Sequence, residues 1–275
     1  MKITVLIDNN ALNGRRYAGE AGFCALVEEE EKRFLLDSGC SDLAVKNAGM
    51  LGVDLTRLDA VILSHGHYDH TWGLRFLPES RRSDGGQTRL IAHPAALLPK
   101  YINGEPFGVL PETLLRYEVQ EGRGPLWLTS RLVFLGEIPR VFGFEEGRCL
   151  GTVDAHGGQV PDPLLDDTAL AWRGEDGTAV MAGCSHSGIC NIVRHALAVT
   201  GKDRILDILG GFPLQKASGE ILSKTGAYLR ERGATAVHAC HCTDLAAKIG
   251  LSAWIGVQEV GAGLTLCFGE EQENI

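Results

Sequence analysis

Long apolar runs are missing from this 275-residue chain: nowhere do about 18 apolar residues follow one another, so no segment reads as a membrane span. The opening, MKITVLID from Met1 to Asp8, has too short an apolar run for a secretory signal and lacks a small-residue cleavage site. The expected location is therefore the cytoplasm. Positive charge is also scarce. Lys and Arg total 26 against 35 Asp and Glu, a net charge of −9, and no basic stripe is visible. A general nucleic-acid binder needs a basic face, so no such partner is expected, although a local basic pocket for a phosphate or carboxylate remains compatible. The eight cysteines do not read as a disulfide scaffold, because the chain is long and carries no secretion signal. Cys24, Cys40, Cys149 and Cys267 lie in apolar or glycine-rich surroundings and are expected to be buried free thiols. No linker composition divides the chain, which suggests one domain over 1–275. The sequence does not fix an oligomeric state.

What is present suits a globular fold. Hydrophobic residues make up 44% and charged residues 22%, enough for a sizeable core. ITVLID (3–8) alternates as a strand; FCALVEEE (23–30) and KRFLLD (32–37) flank an acidic turn as a hairpin. The spacing in 43–51 predicts a helix ending near Gly52. DAVILS (59–64) is a short run rich in Val and Ile, a buried strand. RLIAHP (89–94) reads as another strand. Residues 99–125 carry four prolines and several glycines, which predicts a loop-rich lid or insertion with one short helix. Strand character returns in 126–138.

The second half repeats this layout. TALAWR (168–173) and TAVMAG (178–183) surround a GEDG turn; 187–201 and 221–233 have helical spacing; 204–211 and 235–242 read as strands. Strands alternating with helices, plus antiparallel hairpins, predict an α/β fold: a four-layer αββα sandwich with two mixed β-sheets.

The stretch LSHGHYDHTWGL, 63–74, follows the strand at 59–64 and places four metal-type donors within six residues: His65, His67, Asp69 and His70. On a helix these positions would spread around the axis. On a loop leaving a strand, His65 and His67 can face the same way and grip one cation, while Asp69 and His70 turn toward a second. Imidazole nitrogens with one carboxylate suit zinc, and also iron or manganese. Two such ions about 3.5–4 Å apart can clamp both the attacking and the leaving oxygen of a displacement.

Further ligands must come from elsewhere. His186, in AGCSHSG, and His241, in HACHCTD, both lie at predicted strand ends, where α/β folds assemble their sites. Cys184 is a candidate bridging thiolate, with buried thiol as the alternative. His93 and His156 each follow a strand-like stretch and could complete a shell. His238 and His195 read as packing residues, and Arg15, Arg16 and Lys46 as solvated surface charge.

These motifs carry a resemblance. LSHGHYDHTWGL resembles the signature of the metallo-β-lactamase superfamily. TVLIDNN, FLLDSG, NAGMLGVDLTRLDAVILSHGHYDHTWGL, GCSHSGICNIV, LGGFPL and HCTD together resemble the subgroup of 7,8-dihydropterin-6-methyl-4-(β-D-ribofuranosyl)aminobenzene 5′-phosphate synthase-like proteins, over nearly the whole chain. The resemblance implies a metallo-β-lactamase-like fold and metal ligands at His65, His67, Asp69, His70, His186 and His241. It also implies that Asp37, in LLDSG, supports the metal loop by hydrogen bonding. The chain departs from the subgroup at two places. Pro213 stands where GGFHL commonly has its histidine, and Asp244 follows HCT where glycine is usual.

The implied function is hydrolysis by a metal-activated hydroxide, with two divalent ions, zinc first and manganese or iron as alternatives. The substrate would be a small molecule, phosphorylated or a cyclic ester, with dihydropterin phosphate chemistry in range. Asp69 and His241 are the ligands also given a part in catalysis, Asp69 by orienting the hydroxide; Asp244 or His93 could serve as outer acids. Two other classes fit the same loop: a mononuclear iron oxygenase or other redox enzyme, and a binding protein that keeps metal only for stability.

Overall fold

The computed structural model describes residues 1–145, 149–155 and 157–269. Two seven-stranded sheets form its centre. Across the first run Thr265–Cys267, Lys2–Ile7, Cys24–Glu29, Lys32–Leu36, Ala60–Ile62, Arg89–Ala92 and Glu118–Glu121. Across the second run Gly256–Val257, Ala236–Cys240, Ile205–Gly211, Thr178–Ala182, Ala169–Arg173, Leu132–Phe134 and Leu126–Trp127. Each sheet joins an antiparallel set to a run of parallel strands: Lys32–Leu36 to Glu118–Glu121 in the first, Thr178–Ala182 to Gly256–Val257 in the second.

Side-chain alternation explains why the strands read as continuous apolar runs. Val5, Ala25, Val27, Phe34 and Leu36 face inward onto Leu170, Trp172, Ala179 and Met181 of the other sheet. Their neighbours Leu6, Leu26 and Leu35 face outward onto Ala44 and Ala48 of the helix Leu43–Leu51. On the other side, Val180 and Ala182 meet Ile192, Val193 and Ala196 of the helix Ile189–Thr200, and the helices Gly219–Glu231 and Leu245–Ser252 cover the same face. Both faces of each sheet are therefore buried, which gives the four-layer αββα sandwich. The helix Leu43–Leu51 stops at Gly52, whose left-handed φ of 70° closes it.

The stretch 99–125 differs from its expectation. It holds the short helix Pro111–Leu114, but also the strand Glu118–Glu121, which extends the first sheet. Lys100–Ile102 and Glu105–Pro106 belong to a third, four-stranded sheet with Thr152–Ala155 and Gly158–Pro161. All eight cysteines are free; Cys24 is buried as expected, whereas Cys149 and Cys267 are exposed and Cys40 is partly so, because each of these three lies outside the sandwich core. Among the described residues no helix is long and apolar enough to cross a membrane.

Candidate metal centre

The carboxyl ends of the parallel strands point at one edge of the sandwich, where ligand sites form in open α/β sheets. Ala60–Ile62 runs into the loop bearing His65 and His67, and the helical turn Tyr68–Thr71 carries Asp69 and His70. Thr178–Ala182 runs into Cys184 and His186, and Ala236–Cys240 into His241 and Cys242. Seven of the expected residues thus meet: His65, His67, Asp69, His70, Cys184, His186 and His241. Donor atoms of His65, His67 and His186 lie within 4.8 Å of one another, and so do those of Asp69, His70 and His241.

The loops are held tightly. A Cβ at Gly66 would collide with the Ala96 carbonyl, and one at Gly183 with the Ser64 hydroxyl, so neither position accepts a side chain. Three residues adopt left-handed backbone at the strand ends: Asp37 (φ 58°), Ser185 (φ 54°) and His241 (φ 48°). Such conformations persist where surrounding contacts dictate them.

Those contacts also fix where the imidazole protons sit. Asp37 is fully buried; its carboxylate accepts from the Ser64 amide and hydroxyl, both at 2.7 Å, and lies 2.7 Å from His70 Nδ1. His70 therefore carries a proton on Nδ1. Because the Ser64 hydroxyl donates to Asp37, it accepts from His65 Nδ1 at 3.0 Å, which leaves His65 Nε2 as a lone pair. His241 Nδ1 donates to Asn9 Oδ1 at 2.8 Å, and that oxygen also accepts the Gly22 amide. His241 Nε2 is then a second lone pair, 3.1 Å from His70 Nε2 and 3.0 Å from Cys184 Sγ. His65 Nε2 sits 3.0 Å from His67 Nδ1. His67 Nε2 and His186 Nε2 are buried with no hydrogen-bond partner.

Burial, then the neighbouring imidazoles, pushes the pKa values of His65, His67 and His241 well down, and that of His186 to about 4. These rings are neutral at pH 7, the form that binds metal. For His70 burial acts downward too, but the carboxylates of Asp37 and Asp69 outweigh it and lift the value to about 9. Its Nε2 then carries, without metal, the one proton that separates it from His241. Burial raises the Cys184 thiol, as does its neighbour Cys242.

Three expected positions stand elsewhere or are not described. His93 caps the turn Pro94–Leu97 through Nδ1 and faces Glu137 and Arg123, 3.4 Å away each, so it does not join the cluster. Asp244 accepts the Ala247 amide at 2.8 Å as N-cap of Leu245–Ser252, so its carboxylate is spent on the helix end. His156 lies outside the described residues. His238 pairs with Asp207 and His195 with the Leu135 carbonyl, both as packing residues.

Several supporting residues escaped the sequence reading. Asp8 accepts the His241 amide at 2.8 Å. Asp166 accepts the Gly66 amide at 2.8 Å and pairs with buried Lys100, which also reaches Asp162. Asp167 accepts the Ser187 amide at 2.8 Å, and burial lifts its pKa to about 6. The Asp166-Asp167 pair just before a predicted strand was the available signal. Cys242 completes a further donor group with Cys184 and His241.

Over the cluster opens a cavity of about 500 Å³. His67, Cys184, His186 and Cys242 border it on the centre's side; Phe144, Ile189, Leu214 and Ile221 give it apolar walls. Pro213 and Lys216 line it too. Glu145, also at its wall, accepts the Cys190 and Asn191 amides at 2.8 and 2.9 Å at the start of the helix Ile189–Thr200. Phe107, beside the third sheet, packs on His67 with ring centroids 4.8 Å apart.

The family profile described as metallo-beta-lactamase superfamily matches residues 17–145. An uncharacterized protein of Methanocaldococcus jannaschii, MJ0448, is 30% identical over 91% of this chain and 93% of its own length. The 7,8-dihydropterin-6-methyl-4-(beta-D-ribofuranosyl)-aminobenzene-5'-phosphate synthase of the same organism is 27% identical over 90% of this chain and 89% of its own. Among solved structures, Tm1679, described as a metal-dependent hydrolase of the beta-lactamase superfamily, is 31% identical with a TM-score of 0.83, covering 98% of this chain and all (100%) of that one. Near-complete alignment at these identities, on one shared sandwich, places the chain in the metallo-β-lactamase superfamily.

Proposed function

We propose that this protein is a metal-dependent hydrolase of small molecules that works with two divalent cations, zinc first. His65, His67 and His186 would hold one, and Asp69, His70 and His241 the other, with Cys184 between them. The observation that carries this reading is the facing of His70 Nε2 and His241 Nε2 at 3.1 Å, with both Nδ1 protons already committed. Two lone pairs so placed repel unless a proton or a cation lies between them. Buried imidazoles whose outer nitrogens are tied to carboxylate, hydroxyl and amide oxygens have the arrangement that metal ligands use. When bound, the cations supply Lewis acidity and make water acidic enough to ionise near neutral pH.

The chain's own residues do the rest. Asp69 Oδ2 lies 3.8 Å from His70 Nε2 and 3.6 Å from His241 Nε2, so its carboxylate can orient a nucleophile and accept its proton. The cavity walls exclude water from an apolar substrate body, and Lys216 offers a cationic contact at the rim. A cavity of about 500 Å³ suits a metabolite-sized ligand. Pro213 turns no donor into this space, so a substrate meets an apolar surface there. Similarity to the dihydropterin synthase makes phosphorylated aromatic compounds the first to test, with cyclic esters next.

The test is elemental analysis of protein purified without added metal, followed by assay on phosphate esters, lactones and pterin phosphates. The expected result is about two zinc ions per chain and hydrolysis that chelator abolishes and zinc restores. One iron per chain with oxygen uptake would replace this reading with a redox enzyme. Stable metal without turnover on any of these would favour a binding protein.

A further inference from the structure

Lys100 opens the first strand of the third sheet and is 2% exposed, the only buried lysine or arginine among the described residues. Its ammonium lies 2.5 Å from Asp162 Oδ2 and 3.1 Å from Asp166 Oδ1, and both carboxylates are buried. The other Asp166 oxygen accepts the Gly66 amide, in the backbone between His65 and His67. The lysine stem packs on the same glycine: a Cβ at Gly66 would stand 2.9 Å from Lys100 Cε. The main chain of Lys100 acts from the other side. Its carbonyl accepts the Phe107 amide at 2.8 Å, and the Phe107 ring rests on His67 and, with centroids 5.0 Å apart, on Tyr68. Gly108 follows, and its carbonyl accepts the Trp72 indole N–H at 2.8 Å, which ties the segment carrying the ring to the metal loop at a second point. Burying an ammonium with two carboxylates is costly, and apolar side chains of similar volume often stabilise such a place as well or better. What the ion group adds is fixed distance: one backbone amide and one ring are locked to the same residue.

We propose that Lys100 is a positioning residue of the candidate metal centre that clasps His67 from two sides. Through Asp166 it sets the backbone that aims His65 and His67; through its own carbonyl it sets the ring that packs on His67. This rests on the two-cation reading above. Lys100 supplies no donor to a cation and acts only through Gly66 and Phe107. The third sheet is then a working wall of the centre, not an appendage to the sandwich, because shifting it shifts His67.

Cobalt(II) titration of the chelator-stripped full chain, in competition with a chelating dye, tests this without any turnover. Lys100→Met keeps the stem and removes the charge. It should weaken one of two binding steps about 10–100-fold and change the d–d bands of that step, with the other step as in the parent. Because it leaves two buried carboxylates without a counter-ion, this variant should also unfold at lower denaturant. Lys100→Met combined with Asp162→Asn restores the parent's charge balance and leaves Asp166 on Gly66, but without its tether to the third sheet. That double variant should regain most of the lost denaturant midpoint while the weak step and the altered bands persist. Phe107→Leu leaves the ion group whole and should weaken the same step by less. Recovery of the parent's affinity and bands together with the midpoint would show a purely cohesive role and overturn the inference, as would parent-like binding by Lys100→Met. In either case two intact steps in the parent leave the hydrolase reading standing. An unchanged step in Phe107→Leu would strike the ring from the clasp. A parent that binds no cobalt would overturn both readings.

Discussion

The first sheet delivers four donors from one loop, His65 to His70, whereas the second delivers one imidazole from each of two strand ends. In the first, spacing alone brings the donors together, and one buried carboxylate, Asp37, sets their tautomers from beneath. In the second, each ligand needs its own anchor from a distant part of the chain. Asp167 takes the amide next to His186, and Asp8, more than two hundred residues away in sequence, takes the amide of His241. A clustered loop is locally encoded; isolated ligands depend on tertiary structure.

Four substitutions sharpen or break this contrast. His67→Ala should have the largest effect, removing a cation and lowering kcat/KM by on the order of 10³-fold or more. Parent-like metal content and turnover would show that the cluster is not the reactive centre. Asp37→Ala comes next. It should weaken binding of both cations, by about 10–100-fold in competition with a chelating dye. An effect on a single cation would mean that the Ser64–His65 link does not matter. Asp167→Asn should be milder, about tenfold and confined to one cation, the one beside His186. If it matched Asp37→Ala, the anchors of the two sheets would not differ in kind. Asp244→Ala should be the smallest at the centre: a loss of about 1 kcal/mol in a denaturant melt, from the missing helix cap, with metal content unchanged. Loss of metal there would return Asp244 to the centre.

The same contrast explains what could be read from the sequence. Sandwich strands such as Cys24–Glu29 and Thr178–Ala182 announce themselves because both faces are buried. The third sheet and the far edge of the first do not. In the third, Gly158–Pro161 is exposed along its whole length, and at the edge of the first Glu118–Glu121 is nearly so, so neither shows a burial pattern to find. Residues 63–74 gave four donors by spacing, and strand-end position supplied His186 and His241. Asp8 gives no such signal, and the Asp166-Asp167 pair gives only its position before a strand, because an acid beside a strand looks the same whether it meets solvent or a distant amide. His93 and Asp244 were misplaced for the complementary reason. Each lies near a strand end, but each is consumed locally as a cap, and only the fold reveals that.

Asp37 has a consequence beyond orientation. Its two oxygens reach His70 directly and His65 through Ser64, rings that belong to different donor sets. On the two-cation reading, losing any one ligand would leave the partner set intact, and the chain would retreat to a protein with a single ion. Losing this carboxylate frees a ring in each set at once. On that reading it is the residue both sets share, and a redesign that aims to exchange one ion while keeping the other would leave Asp37 alone.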